Sequence, residues 1–359
     1  MSRIHNTTMN YLLNNLCVMT AGLVLAGAAS AQECNDREMP GWEFSSDFRL
    51  RAEITDYDTD TDDRFRGRLR FRVGANYQLA DNIKFGARLV SGDSTNANST
   101  HVDLGGDTGG TSDFSSFEMS LDRLFLTYEP TWFQGATMTF GKFGHGFAKN
   151  PVYGELVWDG DVQPEGFAMT WSHDYFGLFD TNKFNVGLYV MDEVNRGRDE
   201  TIQVAQFAGT KEMGEDTFGL SFGMYNFSNN VDVANHYRIL NPILTFETGD
   251  FTFAAEFIEN YSDNDGVDDS GQAFGLSMKL EDGAKVYIQR QEIEADAVFS
   301  QYAQDDWATG NTNFTGFVAG WKKSIAKNVG LHIWAMQETE NDTELNDTYR
   351  FRVDFNIKF

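Results

Sequence analysis

Five arginines occupy alternate positions in one short stretch, Arg64, Arg66, Arg68, Arg70 and Arg72, with Phe65, Gly67, Leu69, Phe71 and Val73 between them. A period of two places every guanidinium on one face of a β-strand and the apolar residues on the other. Few surroundings accept both faces. A lipid-facing arginine at the bilayer midplane costs about 2–4 kcal/mol, so the basic face does not look at lipid. A dry core is no better. At an effective dielectric of about 20, two charges ~4 Å apart interact by roughly 4 kcal/mol, against about 1 kcal/mol in bulk water. The strand needs water on one side and apolar surroundings on the other, and the wall of a transmembrane β-barrel with a wet lumen meets both needs.

The rest of the chain repeats this rhythm. From residue 44 onward, alternating segments are separated in turn by short turns and longer polar loops. The pattern predicts about sixteen strands, near 44–55, 64–80, 82–91, 117–129, 136–143, 165–173, 182–192, 199–210, 215–226, 237–249, 251–262, 271–282, 284–294, 311–322, 327–338 and 347–359. The first half of 117–129 also reads as a loop helix. An even count returns both ends to one rim, as closure of an antiparallel up-and-down barrel requires, with short turns on the periplasmic side and the long loops 92–116, 144–164 and 295–310 outside. In the last strand Tyr349, Phe351, Val353, Phe355, Ile357 and the terminal Phe359 alternate with Arg350, Arg352, Asp354, Asn356 and Lys358. The first set suits lipid and the second a wet lumen. A sandwich would also alternate, but its core is dry, and no fixed-period repeat supports a solenoid or propeller.

Composition agrees with this class. The 31 Phe, 13 Tyr and 7 Trp, the 34 glycines and only 5 prolines suit a long antiparallel sheet. A net charge of −26 argues against nucleic acid, which needs clustered Lys and Arg. Residues 1–31 read as a signal peptide. Arg3 gives a basic start (or translation begins at Met9), Leu12 to Ala28 is mostly apolar, and Ala29-Ser30-Ala31 is a cleavage signal. A retained anchor is the alternative. Cleavage removes Cys17 and leaves Cys34 alone, so no intramolecular disulfide or cysteine metal site is expected. Residues 32–43 then form a short periplasmic segment and 44–359 the barrel. Beyond residue 31 no stretch is long and apolar enough for a transmembrane helix.

Closure brings 347–359, 44–55, 64–80 and 82–91 together. Their inward positions carry Arg350 and Arg352, then Arg49 and Arg51, then Arg66, Arg68, Arg70 and Arg72 of the comb, then Arg88. If the 56–63 loop closes a regular hairpin, Arg51 lies opposite Arg68 and Arg49 opposite Arg70. Like charges placed opposite each other are destabilising and need an offset from water, acids or passing anions. The wall therefore either sets the field of a pore or is neutralised by local Asp and Glu without a part in selectivity.

Several patches resemble the outer-membrane porins, most closely the Gram-negative group called putative porins. They are the Arg64–Val73 comb, Asn82-Ile-Lys-Phe-Gly-Ala-Arg-Leu-Val-Ser-Gly-Asp93, Glu155-Leu-Val-Trp-Asp-Gly-Asp161 with Pro164-Glu-Gly166, and the terminal Phe359. The alternating last strand ending in phenylalanine also resembles the signal by which the barrel-assembly machinery recognises its substrates. The resemblance implies a homotrimer and a constriction loop after the fifth strand, folded into the lumen with acids facing the basic wall. Carried over, those acids are Glu155, Asp159, Asp161 and Glu165. The alternative is a loop that only caps the outer mouth, its acids solvated. The coiled-coil segment of many relatives has no counterpart in residues 32–43.

The acidic runs Asp56-Tyr-Asp-Thr-Asp-Thr-Asp-Asp63 and Asp263-Asn-Asp-Gly-Val-Asp-Asp269 invite a calcium reading, but neither has the full twelve-residue loop ending in glutamate. Solvated loops, or divalent bridging to lipopolysaccharide, fit them better, and no metal or other cofactor is expected. His101, His145, His173, His236 and His332 show no metal spacing, and no nucleophile elbow is present, so no enzyme is expected. The expected function is passive diffusion of small hydrophilic solutes and ions through a water-filled pore, with the arginine wall facing an acidic loop. An anion- or phosphate-selective porin is the alternative, and a non-conducting surface receptor or adhesin barrel is the alternative of another class.

Overall fold

Alternating residues build the whole wall. The computed structural model describes residues 41–57, 63–106, 116–196, 198–228, 237–262, 268–308, 310–341 and 347–359. The signal peptide, Cys34, His236 and most of both acidic runs lie outside them. The strands are β1 (Trp42–Tyr57), β2 (Arg64–Ala80), β3 (Ile83–Ser91), β4 (Val102–Asp103), β5 (Met119–Tyr128), β6 (Ala136–Lys142), β7 (Glu165–Phe176), β8 (Phe179–Asp192) and β9 (Glu200–Met213). They continue with β10 (Asp216–Phe227), β11 (Arg238–Thr248), β12 (Phe251–Asn260), β13 (Ser270–Lys279), β14 (Lys285–Ile293), β15 (Phe314–Ala326), β16 (Val329–Glu340) and β17 (Asp347–Lys358). All but the two-residue β4 form a closed antiparallel barrel of 16 strands.

Closure is made by β1, which pairs with β2 on one side and β17 on the other. It leaves no open edge in a solvent that could not satisfy one. Phe359 donates its N–H to the Ser46 carbonyl at 3.2 Å and accepts the Ser46 N–H at 3.2 Å, sealing the seam at its short-turn end. Two-residue turns such as Gly249-Asp250 close the short-turn rim, with Gly249 at φ 54° as a tight hairpin turn requires. The outer face is apolar and exposed, with Phe140, Leu188, Phe253, Phe274, Ile288 and Phe317 among the large side chains on it. Such a surface belongs in lipid.

Residues 119–128 are strand and not helix. A register shift between Arg88 and Leu89 against β5 puts Asp122 and Arg123 side by side on the inner face. The strand β4 has a local cause. With 17 residues against 9, β2 outruns β3, and loop 2 (residues 92–118) covers the exposed edge by pairing Asp103 with Arg68 and Val102 with Leu69.

The interior is not uniformly wet. Loop 3 (143–164) and loop 7 (294–313) meet inside the barrel, where Leu156, Val157, Trp158, Val298 and Ala303 pack on inward Tyr189, Ile202, Tyr225 and Ile239. A dry core therefore fills one side of the barrel, and charge lines the other.

Candidate functional site

The charged side is built from β17, β1 and β2. Their registers pair Arg49 with Arg70 and Arg51 with Arg68, as the regular hairpin predicts, and place Asp354 beside Arg51 and Arg352 beside Glu53. The like charges are offset by carboxylates at the same period of two. Arg51 grips Asp354 with Nε and Nη2 at 2.7 and 2.9 Å. Glu53 accepts Arg66 Nε at 2.8 Å on one side and Arg352 on the other. Asp47 takes Arg70 at 3.2 Å and Arg72 at 2.8 Å, and Asp103 of β4 takes Arg68 at 2.8 Å. Arg88 pairs with Asp122, while Arg350 reaches Thr55 Oγ1 at 3.1 Å and the Asp306 carbonyl. Arg49 differs: its Nε donates to Asn356 at 2.7 Å, and among the described residues no carboxylate meets it. The wall is thus a laced network, not a bare row of cations.

Loop 3 runs as a belt inside the barrel. Gln206 of β9 holds it by accepting the Ala148 N–H at 2.7 Å and donating to the Ala148 carbonyl at 3.2 Å. Further on, Lys285 and Gln289 of β14 donate to the Pro151 and Tyr153 carbonyls at 3.0 and 2.6 Å. The inner face of β13 makes room for it. A Cβ at Gly275 would lie 2.8 Å from Val152 Cβ, so a larger residue there would displace the loop. The belt then reaches loop 7, where Tyr153 Oη donates to Asp306 at 2.5 Å and the Asp159 N–H to the Tyr302 carbonyl at 2.7 Å.

Of the four acids expected on this loop, one meets the arginines. Asp161 lies 3.4 Å from Arg70 and 3.3 Å from Arg72. Asp159 is buried against loop 7, and burial followed by the charge of Asp305 raises its carboxyl well above the usual range. Glu155 sits at φ 86°, pairs with Lys149 and accepts the Gly160 N–H at 3.0 Å. Glu165 belongs to β7 and not to the loop. It faces Lys142 at 2.6 Å, is exposed, and among the described residues forms no ion pair with the arginine network. His145 donates to or accepts from no carboxylate in the described residues, and burial pushes it down to about 4, so it is neutral at pH 7.

Sequence reasoning missed the partners. Asp47 and Glu53 share the alternation of Arg49 and Arg51, a signal that was present. Asp306 of loop 7 carried none. It lies against Arg352 at 2.5 Å, and although burial acts to raise its carboxyl, the Arg352 and Arg51 guanidiniums outweigh that and hold it below the usual range. Trp334 stands beneath both cations, with the Arg352 and Arg51 guanidinium carbons 4.8 and 5.5 Å from its ring centroid. Between this wall and loops 3 and 7 lies a cavity of about 690 Å³. No group of three or more His, Cys, Asp or Glu among the described residues is arranged to hold a metal ion.

A closed sixteen-stranded barrel with an apolar exterior and a charged interior defines a transmembrane channel of the bacterial outer membrane. A family model described as "Putative porin" matches residues 27–233, more than half of the chain, and the chain belongs to that family. A search of the curated proteins finds no match. Among solved structures, the chain is similar to Pseudomonas putida OprB at high pH (TM-score 0.62, 11% identity, covering 89% of this chain and 94% of that one). It is also similar to Salmonella typhi OmpF in complex with daunomycin (TM-score 0.53, 11% identity, 89% and 98% covered). A Rhodopseudomonas blastica porin triple mutant matches with a TM-score of 0.53, 10% identity, and 89% and 100% covered. At these identities the likeness is one of fold. Family and fold make the protein an outer-membrane channel and not an enzyme.

Proposed function

We propose that the protein is a diffusion porin for small hydrophilic solutes and ions, with its narrowest passage between the arginine wall and loop 3. The observation that carries this reading is the position of Asp161, which reaches from loop 3 to both Arg70 and Arg72. Cations on one side and loop carboxylates on the other create a transverse field that orients polar solutes and excludes apolar ones. The laced wall leaves little unbalanced charge, which favours weak ion selectivity. Planar-bilayer recordings of the purified protein test this. Stepwise conductance with weak ion preference is expected. Strong anion preference that disappears in Arg→Ala variants at 66, 68 and 70 would instead make it an anion-selective pore.

The dry core of loops 3 and 7 favours one reading of another class, a non-conducting surface barrel. Absence of conductance steps from well-folded protein would establish it. By analogy with general porins we infer a homotrimer, insertion through Phe359 by the barrel-assembly machinery, and acidic outer loops that meet lipopolysaccharide through divalent cations. Crosslinking in isolated outer membranes tests the trimer, and deletion of Phe359 tests insertion.

A further inference from the structure

Asp161 is presented to the arginines without being clamped by them. A charge-assisted hydrogen bond closes to about 2.7–2.9 Å, as Arg51 and Asp354 do at 2.7 and 2.9 Å. The contacts of Asp161 are all longer: 3.4 Å to Arg70, 3.3 Å to Arg72 and 3.2 Å from Thr100 Oγ1 of loop 2. Contacts of that length fix a carboxylate poorly. Its place comes from the backbone that carries it.

That backbone is held by shorter bonds at Gly160 and Asp161. The Glu155 carboxylate accepts the Gly160 N–H at 3.0 Å, and Asp159 Oδ1 accepts the Asp161 N–H at 2.7 Å. Both partners belong to the loop, so they shape the turn without fixing it to the wall. Gln163 does both. Its Nε2 donates to the Gly160 and Asp161 carbonyls at 2.9 and 2.8 Å, while its Oε1 accepts Arg123 Nε of β5 at 2.8 Å. Both amide donors and the acceptor are thus spent. The residue is only 7% exposed, so water competes little for these bonds. The wall side fits as closely. Arg123 stands opposite Arg88 in the register, and Arg88 takes the neighbouring Asp122. Arg123 forms no ion pair among the described residues and turns to the neutral amide instead. A Cβ at Gly144 of loop 3 would lie 2.6 Å from its Nη2, so the loop is pressed against this guanidinium.

We propose that Gln163 is the positioning residue of the pore, a neutral amide that ties the Asp161 carboxylate to Arg123 of the wall and thereby sets ion preference. The field of a carboxylate beside a narrow path falls with distance and is screened over about 8–10 Å, so where the group stands matters as much as its charge. This rests on the channel reading above and names the residue that tunes it.

The test is a double-variant cycle on ion preference, read as the reversal potential across a KCl gradient in planar bilayers. Gln163→Met keeps the charge and nearly the volume but removes the clasp. Asp161→Asn should shift the cation-to-anion permeability ratio about threefold toward anions, the effect of one screened unit charge beside the path. Gln163→Met should shift it the same way by about twofold, part of the same electrostatic effect. It should add nothing in the Asp161→Asn background, where no carboxylate is left to place. Heat-modifiable gel mobility checks that each variant folds. An unchanged ratio in Gln163→Met would overturn the proposal. So would an equal shift in both backgrounds, which is what a loosened loop gives when Gln163 has no part in placing Asp161. If the wild-type protein shows no conductance steps, the channel reading fails by itself. Limited proteolysis in detergent then decides the clasp. Cleavage between residues 155 and 163 should quicken in Gln163→Met and not in Asp161→Asn, and equal rates in the two variants would remove Gln163 from its role.

Discussion

The two sides of the barrel interior solve opposite problems. On β17, β1 and β2 the inward residues are long and charged, and most guanidiniums are placed by a carboxylate on the neighbouring strand, as Asp354 is for Arg51, while Arg49 and Arg350 rest on neutral oxygens. On β13 the inward residues Gly271, Ala273 and Gly275 are nearly absent, and neighbouring side chains take their place, Ile258 and Ile293 at Gly271 and Val152 of loop 3 at Gly275. On the charged side loops approach by bringing partners, as Asp161 does for Arg70 and Arg72 and Asp306 for Arg352, because desolvating an unpaired ion costs several kcal/mol. The small-residue side invites approach because nothing stands in the way and wall amides from Gln206 and Gln289 satisfy the loop's backbone groups. The cavity of about 690 Å³ consequently lies beside the arginines. Its position follows from where side chains are short as much as from where they are charged.

The largest effect should come from breaking the charged side. The side chains of Arg51 and Asp354 are only 5% and 2% exposed. Asp354→Ala leaves a buried guanidinium without its partner, a change that costs about 3–5 kcal/mol. Urea unfolding of the refolded protein in detergent micelles should record that loss. A loss below ~1 kcal/mol would mean that water reaches Arg51 freely and that the pair is a surface one.

On the other side, Gly275→Val puts two methyl groups where Val152 already sits. Overpacking of this kind costs about 1–3 kcal/mol when it cannot relax. Here the cheaper response is for loop 3 to lift, so single-channel conductance should rise while the barrel stays folded. An unchanged conductance would show that the passage does not depend on where the loop lies. Ala273→Val on the same strand, also buried, should act in the same direction.

A smaller, pH-dependent effect belongs to the joint between loops 3 and 7. Burial, followed by the charge of Asp306, pushes the Asp305 carboxyl up to about 6, and Asp159 is raised for the same reason with Asp305 as its neighbour. A carboxyl whose value lies above its ordinary 3.8 in the fold stabilises that fold in its protonated form. The contribution is complete below the ordinary value and is lost as pH rises through about 6. Limited proteolysis of loop 7 should therefore quicken as pH rises from about 4 to about 7, and Asp305→Asn should flatten the profile. An identical profile in the variant would remove Asp305 from the joint.

What could be read in the chain follows the range of the interaction that encodes it. Period-two alternation is local, so β2 is found at the expected residues 64–80, and the facing of Arg49 with Arg70 follows from one hairpin. The counterions Asp47 and Glu53 obey the same period and were legible in principle. Loop 3's path is not local. It depends on Gln289 meeting Tyr153 and on Tyr153 meeting Asp306, contacts between residues 136 and 153 positions apart. No pattern within either loop announces those meetings. The clue lay elsewhere, in consecutive small inward residues on β13, a face too bare to be merely solvated.

Glu165 makes the smallest and sharpest test of the difference. By resemblance it belongs with Asp161 in the constriction, but it begins β7 and pairs with Lys142 across the β6–β7 register, with the two side chains 61% and 36% exposed. An exposed pair of this kind contributes only about 0–1 kcal/mol and is screened by salt. Glu165→Gln should therefore leave conductance and ion preference alone and shift stability within that range. Asp161→Asn, which frees Arg70 and Arg72 of their loop partner, should move ion preference toward anions. If both substitutions shift selectivity alike, the field of the pore extends to the start of β7 and its narrowest point is not where loop 3 meets the arginine wall.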